Sequence, residues 1–228
     1  MKKKKNKQRG LFDEAFRREK LEHQGDPLIR LNNMIQWEIF RPIVEQVHES
    51  NPKGPGGRPP YDSILKFKML ILQRLYNISD EQLEFQVNDR LSFMKFLGLT
   101  LADDVPDCNT IRNFREQLIK RGLIEQLFQL FNDLLQVKGY IAHEGSIIDA
   151  SFVEVPRQRN TRDENKKIKE GEIPDGWNDP DKKNMIAHKD LDARWTKKNN
   201  QSYYGYKDHI KVDAKSKLIT KYTVTSAN

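Results

Sequence analysis

The chain predicts an α+β fold, a helical region followed by a β-rich one. Three observations carry that expectation. Apolar residues recur at helical spacing early in the chain, beginning with Leu28, Leu31, Met34, Ile35 and Ile39. After Gly139 the period becomes that of strands, with Ile147-Ile148 and Phe152-Val153-Val155, then alternation over Tyr203–Val212 and again from Leu218 to Thr225. Asn51 to Pro60 is a Gly/Pro stretch that cannot sit inside a helix or a central strand. The expected plan is a basic tail over 1–10, N-terminal helices over 11–50, a linker over 51–60, a helical domain over 61–138 and a β-rich domain over 139–228.

The helices can be justified in order. Leu11 to His23 is a charged helical pattern ending at Gly25, and Asp26-Pro27 restarts a helix with Pro in its first turn. Ile64, Leu65, Phe67, Met69, Leu72 and Leu75 give the next helix a broad apolar face. Ser79-Asp-Glu-Gln82 reads as a capping box opening another. Leu91, Phe93, Met94, Phe96 and Leu97 form a third apolar cluster, stopped by Gly98. Asp107 to Thr110 supplies cap residues for a short helix with Ile111, Phe114 and Leu118 inward, ending at Gly122. Leu123, Leu127, Leu130, Phe131, Leu134 and Leu135 define the last, stopped at Gly139.

The short helix carries Arg112, Arg115, Lys120 and Arg121 on its polar side. That suits a recognition helix of the helix-turn-helix kind, whose first residues meet base edges, although a solvated charged face is the commoner use of such residues. Gly57-Arg58-Pro59 could lie in a minor groove on the same logic, on weaker grounds.

Composition narrows the partners. The 228 residues carry a net charge of +7 with 32% charged side chains, which favours a polyanion. Cys108 is the only cysteine, so neither an intrachain disulfide nor a cysteine zinc cluster can form. No apolar run approaches the ~20 residues of a membrane span, and Lys2–Lys5 leads into no apolar stretch, so a cytoplasmic protein with no membrane partner is expected. The basic tail reads equally as a solubilising terminus and as a phosphate-binding arm.

In the β-rich region the informative stretch is Ser146 to Asn160. An apolar, β-prone run delivers one carboxylate, Asp149, and a basic segment with Arg157 and Arg159 follows. Carboxylates hold Mg²⁺, and Arg holds phosphate. An Asp that merely ends or caps a strand is the plainer alternative. Pro156 to Gln201 is polar and dense in Lys, Asp and Asn, with Trp177 and Trp195 its only large aromatics. It reads as a long loop, mobile in the free chain.

Several segments together carry a family resemblance. They are Gly57-Arg-Pro-Pro-Tyr-Asp62, Phe93-Met-Lys-Phe-Leu-Gly-Leu99, Pro106-Asp-Cys-Asn-Thr-Ile-Arg-Asn-Phe-Arg115, Ile148-Asp-Ala-Ser-Phe-Val-Glu-Val-Pro-Arg-Gln-Arg-Asn160, Asp192-Ala-Arg-Trp-Thr-Lys-Lys198 and Gly205-Tyr-Lys-Asp-His209. In this order and at these separations the chain resembles the DDE transposases of bacterial insertion sequences, in the branch grouped as insertion-sequence family five. The resemblance implies a helical DNA-binding region followed by a ribonuclease H-like catalytic domain. It implies that Asp149 is the first catalytic acid and a ligand of Mg²⁺ or Mn²⁺ in a two-metal site that cuts and joins DNA. It makes double-stranded DNA the partner, through transposon terminal inverted repeats and target DNA, with a homodimer assembled on it. Asn109, Arg112 and Arg115 become candidates for reading the repeat. Arg157, Arg159, Lys197, Lys198 and Lys207 become candidates for phosphate contacts near the site.

The family's later Asp and Glu have no counterparts here, since the pattern stops at the close of the third strand, near Thr225. Asp208 and Asp213 read as exposed strand and turn acids rather than substitutes. A ribonuclease H-like sheet needs about five strands covered by helices, and about three are in sight, so the expected fold is an incomplete start of that domain. Two functions follow: the N-terminal part of a transposase, inactive alone, or a truncated DNA-binding regulator or inhibitor of transposition.

Overall fold

The computed structural model describes residues 10, 12–48, 59–142, 144–155 and 159–227. The chain divides into two compact units, Met1–Phe131 and Asn132–Asn228. That division falls within the last long helix rather than at the expected 138/139 boundary.

The first unit is helical. It contains α1 (Asp13–His23), α2 (Pro27–Met34), α3 (Arg41–Val44), α4 (Ser63–Tyr76), α5 (Asp80–Asp89), α6 (Leu91–Leu97), α7 (Cys108–Lys120) and the start of α8 (Leu123–Val137). Short 3₁₀ turns, Trp37–Phe40 and Glu45–His48, flank α3. Side-chain oxygens placed just before the helices satisfy their first N–H groups. Asp26 accepts from Leu28 N at 2.9 Å, Asp62 from Leu65 N at 3.0 Å and Asp107 from Thr110 N at 2.7 Å. Ser79 Oγ accepts from Gln82 N at 3.2 Å, the forward half of the expected capping box. At the far end of α6, Gly98 adopts φ +78°, a left-handed cap that costs glycine little.

These helices enclose an apolar core that includes Leu28, Met69, Leu72, Leu83, Phe93, Phe96, Ile111 and Leu118. Trp37 meets Phe96 edge-on at 5.5 Å. Each fully buried side chain of this kind contributes roughly 1.5–3 kcal/mol relative to exposure. The apolar face assigned to α4 needs one correction. Leu75 is 58% exposed, whereas Lys66 and Lys68 are buried. The lysine stems lie along the core, and their ammonium groups sit 4.8 Å from the Phe114 ring and 4.7 Å from the Phe96 ring, where the ring quadrupole offsets part of the lost hydration.

The second unit is a small antiparallel sheet. Its strands are β1 (Ser146–Glu154), β2 (Arg194–Lys198), β3 (Gln201–Asp213) and β4 (Ile219–Ser226). The long β3 lies between β1 on one side and β2 then β4 on the other. Between β1 and β2 the chain forms two helices, α9 (Arg162–Lys169) and α10 (Lys183–Ile186). At Gly205, which pairs with both Glu154 and Arg194, the strands approach closely. A Cβ there would lie 2.1 Å from the Val153 carbonyl oxygen, so only glycine fits.

The segment 156–201, expected to be a structureless loop, is therefore organised over its described residues, and the sheet has four strands rather than about three. Periodicity missed this because polar side chains hold the segment instead of an apolar stripe. Thr161 and Glu164 form a reciprocal capping box at α9. Glu164 also accepts from Trp177 Nε1 at 2.9 Å and from Lys189 Nζ at 2.7 Å. Asn160 donates to the Asp190 carbonyl at 2.7 Å, and its own carbonyl accepts from Trp195 Nε1 at 2.8 Å. The Tyr206 hydroxyl reaches both Asp190 carboxylate oxygens at 2.7 Å.

Candidate functional site

Asp149 lies in the middle of β1, opposite Ile210 of β3. Its side chain is exposed, and Oδ1 accepts the Ala150 N–H at 2.7 Å. Strand alternation puts Ile147, Asp149, Ser151 and Val153 on one face, shared with Tyr206, Asp208, Ile210 and Val212 of β3. Among the described residues β1 pairs only with β3, so the edge carrying Asp149 is open to solvent.

Asp208 differs from its expected state as an exposed strand acid. It is half-buried on the face of Asp149, opposite Ser151, and its Oδ1 is buried without a hydrogen-bond partner. Diagonal neighbours on such a pair stand roughly 7–8 Å apart. Asp213 also differs. It is 3% exposed, and it accepts from Ser216 N at 2.8 Å and Ser216 Oγ at 2.7 Å, closing the turn between β3 and β4.

A divalent metal can be tested against this donor set. Asp149 offers the hard oxygen ligand that Mg²⁺ or Mn²⁺ takes. Yet among the described residues no three His, Cys, Asp or Glu side chains gather as a metal site. The described residues offer one exposed carboxylate and do not enclose an ion.

The basic candidates separate once placed on the strands. Phe152 and Tyr203 stack at 4.6 Å on the sheet face opposite Asp149. Lys198 Nζ lies 5.7 Å and Lys207 Nζ 6.0 Å from the Phe152 ring, so both belong to that opposite face. Lys197 is exposed and pairs with Ser202. Arg159 is held by Glu154 at 2.7 Å. Arg157 lies outside the described residues.

On α7 the arginines divide as well. Arg115 grips Asp80 with two hydrogen bonds, of 2.7 and 2.8 Å, and donates to Gln73 at 2.9 Å. This fork ties α7 to the first turn of α5 and holds the Asp80 carboxyl well below the ordinary carboxylate range. Arg112 reaches Asp80 at 3.4 Å, Glu81 at 3.2 Å and Asn109 at 3.2 Å, with 41% of its side chain exposed. Arg115 is thus a packing residue of the helical unit, and Asn109 with Arg112 remains on its surface.

The polar centre of the second unit was missed in the sequence. Burial would raise the Glu164 carboxyl, but hydrogen bonds from Lys189, Trp177 and the Thr161 N–H bring it down to about 2. Asp190 behaves alike: burial pushes it up, and the Tyr206 hydroxyl with the Asp192 and Ala193 N–H groups leaves it below its ordinary value. The Thr161-x-x-Glu164 spacing is the signal that could have found Glu164.

Among the described residues no helix is long and apolar enough to cross a membrane. No solved structure matches the chain. Residues 16–117 match the family described as Transposase domain (DUF772), and residues 141–228 match the family described as Transposase DDE domain. Both matches are to transposase domains, in the order helical unit then sheet unit, and together they support a DDE transposase.

Proposed function

We propose that the chain acts on DNA as the N-terminal part of a transposase of the insertion-sequence family five branch, with Asp149 the first carboxylate of its metal site. The observation that carries this reading is the placement of Asp149: exposed, mid-strand and on an open edge of β1, inside the segment matching the DDE domain. The sheet is the start of a ribonuclease H-like domain in this reading. A divalent cation bound there would supply charge for phosphoryl transfer, and the described residues contribute Asp149 to it. Asn109 and Arg112 meet bases of the terminal repeat, while Lys197, Lys198 and Lys207 meet phosphates. The protein pairs on DNA as a homodimer. In this reading the 228 residues alone bind transposon ends without cutting them.

The test is one purified chain and two duplexes, with and without a terminal repeat, in Mg²⁺ or Mn²⁺. Binding should weaken steeply with salt, log K falling about 0.9 per phosphate neutralised as log salt rises. Arg112→Ala should cost roughly 1–3 kcal/mol on the repeat and little on the control if the contact is bidentate. Failure to bind either duplex would overturn the reading. Metal-dependent nicking that vanishes in Asp149→Asn would instead show that a neighbour such as Asp208 completes the site within this chain.

A further inference from the structure

The helical unit contains an open cavity with a mixed polar and apolar lining that the reading above does not use. Its volume is about 570 Å³, and its lining includes His48, Lys66, Thr110, Asn113, Gln117 and Arg121. Thr110, Asn113 and Gln117 share one face of α7, spaced i, i+3, i+7. Lys66 comes from α4 and is only 4% exposed. Its Nζ lies 2.8 Å from His48 Nε2 and over the Phe114 ring, and it has no carboxylate partner among the described residues. Asp62, the residue that caps α4, is held by Arg41 at 2.7 Å. Burial first, and then the Lys66 charge, lower the His48 pKa, so the ring is a neutral acceptor there and adds no compensating charge. Arg121 closes one end and donates to the Gln46 carbonyl. No described Asp or Glu lines the cavity.

A buried ammonium whose close partners are a neutral imidazole and a ring is costly to keep, and Asp62, already engaged by Arg41, offsets only part of that cost from a distance. The Lys66 ammonium has three donors and uses one on His48. The same cavity is lined by the Thr110 hydroxyl, the Asn113 and Gln117 amides and the Arg121 guanidinium. That donor set suits a tetrahedral oxyanion, which accepts on several sides at once, and repels a cation.

We propose that this cavity is a phosphate-binding site of the helical unit, filled by a backbone phosphate of DNA or by free phosphate. The DNA source rests on the transposase reading; the phosphate chemistry does not.

Two arms test it on the full 228-residue chain. The first follows thermal unfolding in inorganic phosphate against chloride at equal pH and ionic strength. The second measures the salt dependence of binding to a duplex of arbitrary sequence. The variants are Lys66→Met, which removes the charge, and Gln117→Glu, which leaves Lys66 in place but puts a carboxylate into the lining of the same cavity. The second variant serves where the first does not fold. Phosphate should raise the melting temperature of the wild type and leave both variants unmoved. The slope of log K against log salt should be smaller in magnitude by about 1 in each variant. Both effects together identify a DNA phosphate, and the thermal effect alone identifies free phosphate. A wild type indifferent to phosphate, with variants of unchanged slope, overturns the site. A wild type that binds no duplex yet responds to phosphate through Lys66 overturns the transposase reading and leaves the site standing.

Discussion

The helical unit and the sheet unit are held together by different physics. The first buries Leu28, Met69, Leu72, Leu83, Phe93 and Leu118 almost completely. Among the described apolar residues of the second, only Ile141, Ala193, Tyr204 and Ala227 are buried, while Ile148, Val153 and Val224 are half or more exposed. Its order comes from the ladders on β3 and from the hydrogen bonds gathered at Glu164 and Asp190. Apolar burial is non-directional and tolerates small errors of position. Ladders and charged hydrogen bonds are directional, so the sheet unit should yield to changes of geometry and protonation that the helical unit ignores.

The sharpest way to break this contrast is Gly205→Ala. The added Cβ falls 2.1 Å from the Val153 carbonyl, between β1 and β3, and backbone must move to admit it. A loss above about 4 kcal/mol is expected in the sheet unit, the exceptional range for a single substitution. Hydrogen exchange should show amides of β1 and β3 losing protection while those of α4 and α7 keep theirs. Equal loss in both units would mean that they do not unfold separately.

Arg115→Ala probes a place where the helical unit depends on charge. It strands the Asp80 carboxylate, whose side chain is 11% exposed, with Gln73 and Arg112 as its remaining donors. Breaking such a pair costs about 3 kcal/mol. Urea unfolding followed by helical circular dichroism measures it. An effect on DNA preference without an effect on stability would return Arg115 to base reading.

Glu164→Gln should have the smallest effect, about 2 kcal/mol, because the amide can still accept from Trp177 and close the capping box. The wild-type pH dependence follows from the same residue. Its carboxyl is depressed from 4.5 to about 2, so its contribution is complete above pH 4.5 and is lost as pH falls through about 2. Acid titration of Trp177 and Trp195 fluorescence should report that loss, and Glu164→Gln should flatten it. A wild type indifferent between pH 5 and pH 2 would contradict the assigned network.

The helical unit was largely legible because its signals are local. Asp107 followed three residues later by the N–H of Thr110, or Gly98 closing α6, is read within one turn of helix. β1, β3 and β4 were legible from their apolar runs and alternation for the same reason, whereas β2 lay inside the segment read as a loop. What escaped was every feature made by residues distant in the chain. Arg115 looked like a surface cation, since nothing local reveals Asp80 thirty-five residues earlier. Lys198 and Lys207 looked like neighbours of Asp149 until the register placed them on the other face. The segment 156–201 lacked any apolar period, and its order rests on Glu164 and Asp190, whose partners are spread from Asn160 to Tyr206.

The open edge of β1 has a consequence apart from chemistry. The outer edge of the nine-residue β1, which has no strand partner among the described residues, carries exposed Ile147, Ile148 and Val153 and forms a template on which a second chain could add by backbone hydrogen bonding, the first step toward aggregation. Asp149 sits at the middle of that template, and its charge is the feature that repels an identical strand docking in register. The carboxylate assigned to metal therefore also works against that pairing. Removing it to study catalysis exposes a sticky edge at the same time, so Asp149→Glu, which keeps the charge and moves it, is the informative companion to Asp149→Asn.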